Sequence, residues 1–366
     1  MLLKDYFPNI EKKFKNIFFS DICFDSSKVK KDNIFFAIKG NNIDGNNFIL
    51  DAINKGSKVI VTEKKIKKSP NGVLFIHSKN VRKLLAEVSF KIYNKRPKNL
   101  IAITGTNGKS SVADFYYQIL KFNKRKVASI GTLGVKSINK YINLSNTTID
   151  PIKLSRIFKY LKKQKIDDVI LEASSHGLKQ NRLDGLKFKS GIFTNLSHDH
   201  LDYHKNFKDY LKAKLYLFEK LLSIRGNVIT DEKIPEFGNI QKIALKRNLR
   251  ILSTDNYKKH FKILSHYFIG ENQMIKIKQK NLIKNIKLNL IGKIQLKNLM
   301  MAIIAAQKSN LSLNKILAVI PRIRSVEGRL EKIGHIKNKS KVILDYAHTP
   351  DALKICLLNL REQFPN

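Results

Sequence analysis

Cysteine is nearly absent from this sequence of 366 residues, which contains only Cys23 and Cys356. Two cysteines so far apart provide neither a disulfide framework nor the ligand spacing of a zinc site. Long hydrophobic runs are missing as well. The first residues lack the apolar core of a signal peptide, and the longest apolar stretch, 299–306, is far shorter than the roughly 20 residues of a membrane span. We therefore expect a soluble cytoplasmic protein without membrane insertion.

Acidic residues are also scarce, 29 against 70 lysines and arginines, which gives a formal charge of +41. The lysines are dispersed through almost every segment beside many Asn and Ile, as a biased codon usage would produce. We therefore expect no specific nucleic-acid partner, although a positive field would help to attract an anionic substrate. The alternative is a basic protein that binds RNA or DNA, and its binding would depend strongly on salt.

Apolar runs that alternate with helical periods predict an α/β protein. A basic, proline-containing stretch at 94–100 is typical of a linker. Strands followed by polar turns and then helices predict a parallel sheet with crossover helices. After residue 341 only one strand and one helix follow, too little to close a core, so a third domain is expected to be incomplete. Strands are predicted at 33–40, 58–63, 100–105, 167–175, 190–197 and 341–346, and helices at 48–56, 110–122, 210–221, 296–309 and 350–364.

The segment GTNGKSS (105–111) resembles a phosphate-binding loop that is too short. In the common pattern G-x-x-x-x-G-K-[ST] the first glycine would stand at 103, where this chain has Ile103. A strand nevertheless precedes the segment and a helix follows it, so its backbone N–H groups can close around phosphate. Lys109 is expected to contact the β- and γ-phosphates, and the Ser110 hydroxyl to bind Mg²⁺. This order makes a glycine-rich turn without a ligand the weaker alternative.

A second polar segment, LEASSHGLKQNRLDG (171–185), begins where a predicted strand ends. Glu172 would lie at the edge where parallel sheets bind ligands and could hold Mg²⁺ opposite Ser110. Ser175, Gln180 and Arg182 are neutral or cationic groups that suit an anionic, polyhydroxylated substrate. Taken one at a time, each is more simply an ordinary loop residue.

The segment TNLSHDHLDYH (194–204) concentrates His198, Asp199, His200, Asp202 and His204. A zinc site is disfavoured, because no cysteine is nearby and no H-E-x-x-H pattern exists. We expect one histidine to serve a magnesium–nucleotide site and the others to cap or solvate a turn.

Six segments together resemble the Mur ligase family: GTNGKSS, SNTTID (145–150), LEASSHG, TNLSHDHLDYH, AKLYLF (213–218) and LDYAHTPDAL (344–353). The resemblance extends from about Asp25 to the last residue. The family and its folylpolyglutamate synthase relatives use the short G-T-N-G-K-[ST] loop, which accounts for Ile103. The resemblance implies a three-domain α/β architecture. Its parts are a UDP-binding domain at 1–95, a central P-loop-type parallel-sheet ATPase domain at 96–321, and the start of an incomplete Rossmann-like, amino-acid-binding C-terminal domain at 322–366.

Within the family, the motifs are most similar to members that add a diamino acid to UDP-MurNAc-L-Ala-D-Glu in peptidoglycan precursor synthesis. The resemblance implies a monomeric ATP-dependent, amide-forming ligase with two Mg²⁺ ions and a CO2-derived carbamate on Lys214. Diaminopimelate is the expected amino acid, and L-lysine the alternative, because the D-N-P-R segment that distinguishes them would lie beyond Asn366. The sequence also leaves open a ligase that acts on folate or on a neighbouring muramyl-peptide, and a fragment that binds ATP and UDP-substrate without ligating them.

Residue roles carried over from the family fall into five groups. Two departures are His198, where arginine is more common, and Ile149, where proline is frequent; neither is a proposed metal ligand. The implied UDP contacts are Phe24, Ser26, Asn41, Asn42 and Ile43, and the implied muramyl-peptide contacts are Thr147, Thr148, Ser175, Gln180 and Arg182. The implied ATP contacts are Gly105, Thr106, Asn107, Gly108, Lys109, Ser110, Ser111, Asn298 and Arg329. The implied metal ligands are Ser110, Glu172, His200 and carbamylated Lys214, and the implied catalytic residues are Lys109, Glu172, His200 and Lys214.

Overall fold

The computed structural model describes residues 1–40, 43–66, 70–138, 140–254, 261–279, 282–337 and 340–365. Asn41 and Asn42, two of the implied UDP contacts, lie outside these described residues. The chain forms two compact units. Unit 1 contains Met1–Arg96, Asp150–Tyr160 and Gln180–Leu186, and unit 2 contains Pro97–Ile149, Leu161–Lys179 and Lys187–Asn366. The boundary after Arg96 falls within the stretch predicted as a linker.

Unit 1 contains a four-stranded parallel sheet in the order β1-β2-β3-β4. Side chains alternate between two apolar layers, with Phe36 and Val61 in one and Phe35 and Ile60 in the other. This alternation is the period of two that a strand imposes. The elements are β1 (Ile22–Cys23), β2 (Ile34–Phe36), α1 (Ile49–Asn54), β3 (Val59–Thr62), β4 (Leu74–His77) and α2 (Val81–Ile92).

Unit 2 contains the largest sheet and most of the helices that follow α2. One helix, α4, begins in unit 1 and ends in unit 2. The elements from residue 97 onward are β5 (Asn99–Thr104), α3 (Lys109–Phe122), β6 (Val127–Gly131), β7 (Gly134–Ser137), β8 (Tyr141–Ile142), α4 (Pro151–Lys163), β9 (Asp168–Glu172), α5 (Ser175–Lys179), β10 (Phe188–Phe193), α6 (Phe207–Tyr216), β11 (Leu222–Thr230), α7 (Phe237–Lys246), β12 (Arg250–Ser253), β13 (Lys262–Ile269), β14 (Asn272–Gln279), β15 (Leu282–Leu288), α8 (Lys293–Lys308), α9 (Leu313–Val319), β16 (Glu331–His335), β17 (Lys341–Leu344) and α10 (Pro350–Gln363).

The main sheet has the order β12-β11-β10-β5-β9-β6-β7-β8. Its strands are parallel from β12 to β6, and β7 and β8 continue it in antiparallel pairs. The predicted α/β class and parallel sheet are thus confirmed. Because β5, β9 and β10 are neighbours and parallel, the three polar segments that follow them emerge at one edge of the sheet, where such folds bind ligands.

Helices α3 and α8 contribute to the core of unit 2 together with the sheet. All residues of the apolar run 299–306 are buried, which explains why α8 has no polar stripe over this stretch. Among the described residues, no helix has both the length and the apolar character needed to cross a membrane.

Two antiparallel sheets were not predicted from the sequence. One joins β13, β14 and β15, and the other pairs β16 with β17. In β14, buried Ile275 and Ile277 alternate with exposed Lys276 and Lys278, a half-buried strand pattern. Because lysine is abundant throughout the chain, the alternating lysines of this strand could not be distinguished in the sequence from the generally dispersed positive charge.

Candidate functional site

The loop between β5 and α3 has a backbone that requires glycine at two positions. Gly105 has φ +147° and Gly108 has φ +86°, values that side-chain-bearing residues rarely adopt. A Cβ atom at 105 would lie 1.9 Å from the Thr194 hydroxyl oxygen, and one at 108 would lie 2.6 Å from the Asn298 amide oxygen. The chain therefore passes closely under α8 and beside the segment that follows β10.

Asn195, which sequence reasoning did not single out, tethers this loop. The Thr106 N–H donates to the Asn195 backbone oxygen and the Asn107 N–H to its side-chain oxygen, both over 2.9 Å. The Thr194 hydroxyl donates to the Asn107 carbonyl over 2.6 Å. Since two loop N–H groups are engaged in this way, the first turn of α3, at 109–111, supplies the N–H groups that lack intrahelical partners and can face an anion.

Two lysine amines converge behind the loop. Lys109 Nζ donates to the carbonyls of Gly105 and Thr106 over 3.0 and 2.8 Å. Lys214 lies in α6 and is 1% exposed. Its Nζ donates to the same Gly105 oxygen over 2.7 Å and lies 4.3 Å from the centre of the Tyr210 ring. Burial lowers the pKa of Lys109 and lowers that of Lys214 well below its ordinary value, with the Lys109 charge adding to the second effect.

Glu172 is buried at the end of β9 and accepts three hydrogen bonds. Ser110 Oγ donates to one carboxylate oxygen over 3.2 Å, and Thr132 donates to the carboxylate from its N–H over 3.0 Å and from its hydroxyl over 3.1 Å. The neighbouring Gly131 leaves room for the carboxylate, because a Cβ there would lie 2.2 Å from a Glu172 oxygen. Sequence reasoning missed Thr132, because nothing in a short GTLG turn singles out this hydroxyl.

These oxygen groups suit an Mg²⁺ ion that is bound jointly with substrate phosphates better than a metal ion whose ligands all come from the protein. Within the described ranges no three His, Cys, Asp or Glu residues are arranged to hold a metal ion. Mg²⁺ usually keeps several waters and binds one or two carboxylates together with substrate phosphates. Glu172 and the Ser110 hydroxyl next to a phosphate-type loop supply oxygen ligands of that kind.

The histidine-rich segment places one imidazole in the pocket. His200 has φ +53°, and its Nε2 lies 3.5 Å from an Asp199 carboxylate oxygen. Burial lowers the pKa of His200, and the Asp199 charge opposes that effect. The prediction that the remaining histidines cap or solvate a turn is wrong for His204. It is 1% exposed and packs against the rings of His176 and Tyr210, and burial lowers its pKa.

A pocket of about 240 Å³ in unit 2 unites much of the predicted site. Asn298 lines it and donates to the Gln295 side chain over 3.0 Å. Arg329 also lines it, donates to the Gly328 carbonyl over 3.1 Å and lies over the Tyr346 ring at 4.4 Å. The lining comprises the segment 106–111, Thr132, Thr147, Glu172, Ser174, Asp199, His200, Ile294, Gln295, Asn298, Arg329, Leu330, the segment 345–348, Ala352, Ile355 and Cys356.

Asp345 is a second pocket residue to which the sequence analysis assigned no role, although it lies within the quoted segment LDYAHTPDAL. Its carboxylate oxygens accept from the N–H groups of Leu330 and Ala347, each over 2.8 Å. Asp345 therefore connects the Arg329 segment to the turn that follows β17.

The two threonines of SNTTID have different environments. Thr147 lines the pocket, and its hydroxyl lies 3.0 Å from that of Thr132. Thr148 is buried, donates to the Glu172 carbonyl over 2.8 Å and accepts from the Ser174 N–H over 2.9 Å. Its hydroxyl thus bonds to the backbone beside the site. Ser175, the first residue of α5, is also buried.

The remaining predicted contacts belong to unit 1. Phe24 and Ile43 are exposed, at 38% and 65%, and the Ser26 carbonyl accepts from Lys55 over 3.0 Å. Arg182 directs two guanidinium nitrogens to the Gln180 side-chain oxygen over 3.0 and 2.7 Å.

Comparison with known proteins gives two family matches. The Mur ligase middle domain matches residues 103–306, and the Mur ligase family catalytic domain matches residues 19–95. The chain is 35% identical over 357 residues to the UDP-N-acetylmuramoyl-L-alanyl-D-glutamate–2,6-diaminopimelate ligase of Rickettsia prowazekii, covering 96% of this chain and 73% of that protein. It is 34% identical to the ligase of the same name from Wigglesworthia glossinidia brevipalpis, covering 99% and 75%.

Solved structures give the same fold. A UDP-N-acetylmuramoyl-L-alanyl-D-glutamate–2,6-diaminopimelate ligase superposes with a TM-score of 0.84 at 24% identity, covering 99% of this chain and 74% of that one. MurF ligase from Thermotoga maritima in complex with ADP superposes with a TM-score of 0.63 at 16% identity, covering 93% and 74%.

Proposed function

Because the chain belongs to the Mur ligase family of ATP-dependent, amide-forming ligases, we propose that it adds meso-2,6-diaminopimelate to UDP-MurNAc-L-Ala-D-Glu in peptidoglycan precursor synthesis. The observation that carries the proposal is the Glu172 carboxylate, which faces the Ser110 hydroxyl beside the phosphate-type loop within one pocket. The names of the relatives support the substrate and the amino acid.

The proposed reaction has two steps. An oxygen of the D-glutamate γ-carboxylate attacks the γ-phosphorus of ATP, the bond to the β-phosphate oxygen breaks, and ADP leaves. The amine of diaminopimelate then attacks the resulting acyl phosphate, phosphate leaves, and the nitrogen loses a proton. In phosphoryl transfer of this kind a protein acts mainly by positioning the groups and stabilising charge.

Lys109 and the first turn of α3 are the groups proposed to stabilise the phosphates. In the structure the Lys109 amine donates to the Gly105 and Thr106 carbonyls. We propose that it exchanges these bonds for phosphate oxygens when ATP binds, because an ammonium prefers a charged acceptor to a carbonyl. Asn298 and Arg329 line the same pocket and are proposed ATP contacts.

Ser110, Glu172 and His200 are proposed to hold Mg²⁺, together with a carbamate on Lys214 that serves a second ion. When bound, the ions would neutralise charge on the phosphate oxygens. The buried Lys214 amine has a strongly lowered pKa, so it loses its proton readily. A neutral amine can attack CO2 to form an N–C bond and release a proton, and the carbamate anion would then relieve the repulsion between Lys214 and Lys109.

Unit 1 carries the proposed contacts to the UDP-muramyl part of the substrate. Phe24, Ser26 and Ile43 are proposed for the uridine end, with Asn41 and Asn42 retained from the family resemblance. Gln180 and Arg182 are proposed for the muramyl-peptide, since a guanidinium matches carboxylate or phosphate oxygens. In unit 2, Thr147, Thr148 and Ser175 are proposed on the same grounds.

We place this reaction in the cytoplasm, where ATP and UDP-linked precursors are available, and we retain a monomer as the proposed working form. The division into three domains at residues 95 and 321 also stays a proposal, since the second compact unit of the structure contains residues 322–366 together with the ATPase segment.

An isotope experiment tests the proposal. UDP-MurNAc-L-Ala-D-Glu carrying ¹⁸O in its γ-carboxylate should transfer one ¹⁸O to inorganic phosphate in the presence of ATP and diaminopimelate. The Glu172→Gln variant, which keeps size and most hydrogen bonds, should release little phosphate. Equal turnover with L-lysine would contradict the proposed amino acid, and phosphate free of ¹⁸O would contradict the acyl phosphate.

A further inference from the structure

Thr132 bridges two pocket residues that have different proposed partners. Its N–H and hydroxyl donate to the two oxygens of the Glu172 carboxylate, and its hydroxyl oxygen lies 3.0 Å from that of Thr147. Glu172 is proposed to face the metal ion, and Thr147 the UDP-linked peptide. One exposed hydroxyl thus connects the two halves of the reaction site.

The hydrogen count fixes the direction of this bridge. A hydroxyl has one hydrogen to donate, and an ionised carboxylate only accepts. The Thr132 hydrogen is therefore directed to Glu172, and Thr147 must donate its own hydrogen to the Thr132 oxygen. The lone pairs of the Thr147 oxygen are left to face the pocket, so Thr147 is prepared to accept from an N–H or O–H group of a ligand.

Packing alone does not account for Thr132. Its side chain is exposed, whereas Glu172 is 2% exposed. The chain reaches the carboxylate through Gly131, where a Cβ would collide with Glu172. The close approach of residues 131 and 132 therefore brings an N–H and a hydroxyl onto a buried carboxylate, a geometry that limits how Glu172 can rotate.

We propose that Thr132 is a positioning residue that holds Glu172 for the divalent ion and orients the Thr147 hydroxyl towards the UDP-linked peptide. The inference rests on the proposed function for the identity of these two ligands. Because the Thr132 hydroxyl contacts both Glu172 and Thr147, its removal should disturb the metal site and the UDP-substrate site together.

Direct binding to the full chain tests this role. Mn²⁺ with β,γ-methylene-ATP reports on the metal site by electron paramagnetic resonance, and calorimetry reports on UDP-MurNAc-L-Ala-D-Glu. Thr132→Val keeps the shape but removes the hydroxyl, and each affinity should fall about fivefold, the loss of roughly one hydrogen bond. Thr132→Ser should restore both. Thr147→Val should weaken the UDP-substrate and leave Mn²⁺ binding near that of the unsubstituted chain.

Thr230→Val is the matched control. Thr230 is a buried threonine whose hydroxyl donates to the Phe193 carbonyl over 3.0 Å, so its loss should lower thermal stability without changing either affinity. Unchanged affinities in Thr132→Val, no rescue by serine, or equal losses in Thr230→Val would overturn the role of Thr132.

The two arms separate this inference from the proposed function. If the unsubstituted chain does not bind the UDP-substrate, the proposed substrate is wrong, while the Mn²⁺ arm still decides whether Thr132 positions Glu172. If it binds neither probe, both proposals are overturned.

Discussion

Lys109 and Lys214 both donate to the carbonyl oxygen of Gly105, over 3.0 and 2.7 Å. Two amines that share one acceptor in a buried place repel each other when both are protonated. This repulsion contributes to the strongly lowered pKa of Lys214, for which burial is the larger cause, whereas the pKa of Lys109 is lowered by burial and by the Arg329 charge. This arrangement favours a neutral Lys214.

The first prediction concerns the stability cost of the buried Lys214 amine. Lys214→Met removes the charge and keeps most of the volume, so in CO2-free buffer it should raise the free energy of unfolding by about 1–3 kcal/mol near neutral pH. Because the folded-state pKa is lowered, the unfolded chain binds more protons between the two pKa values. Stability of the unsubstituted chain therefore rises with pH through that window.

The gain from Lys214→Met should consequently be largest at low pH and shrink as the pH approaches the ordinary lysine value. Urea unfolding at several pH values measures it. Lys189→Met, at an exposed position, is the control and should change stability little at any pH. A gain for Lys214→Met that is the same at every pH would contradict the lowered pKa.

The second prediction concerns carbamylation itself. After equilibration with ¹³C-labelled bicarbonate, the unsubstituted chain should show a carbamate carbon signal that is absent from Lys214→Ala. The same variant should lose ligation by at least about a hundredfold and keep most of its affinity for the UDP-substrate, since the carbamate serves the metal site. Near-normal turnover of Lys214→Ala would sink the carbamate assignment.

The part of the site that follows from local order was predictable. A strand, two glycines, Lys109–Ser110 and a helix identify a phosphate-type loop, and Glu172 was placed at the end of another predicted strand. These features depend on residues close together in sequence. Parallel strands then bring their carboxyl ends to one edge, so the sheet class was enough to join Ser110 to Glu172.

The part that depends on strand pairing over long distances was not predictable. Thr132 reaches Glu172 only because β6 pairs with β9, and Asn195 reaches the loop only because β10 pairs with β5. Neither register is encoded near those residues. The burial of His204 has the same origin, because it results from packing against His176 and Tyr210 and not from its own polar neighbours.

The third prediction separates the two ligands. Arg182→Ala should raise the KM for the muramyl-peptide about tenfold and leave the KM for ATP nearly unchanged, because Arg182 belongs to unit 1 and the ATP pocket to unit 2. Arg96→Ala removes the same charge from another arginine of unit 1, one that donates to the Gly185 carbonyl, and should leave both values near normal. If Arg182→Ala raised the KM values for the muramyl-peptide and for ATP by the same factor, that result would contradict the proposed role of Arg182.

The fourth prediction tests the close packing of the phosphate loop under α8. At Gly108 the backbone has φ +86°, and an added Cβ would lie 2.6 Å from the Asn298 amide oxygen. Gly108→Ala should therefore destabilise the fold by about 1–2 kcal/mol through backbone strain and raise the KM for ATP at least tenfold by displacing Asn298. Gly238→Ala is the matched control, because nothing lies within 4 Å of its added Cβ and the residue is in α7. That change should stabilise the chain by about 0.5 kcal/mol without altering kinetics. If Gly108→Ala loses stability but binds ATP normally, Asn298 does not contact the nucleotide, and the loop is held close to α8 for the sake of the fold alone.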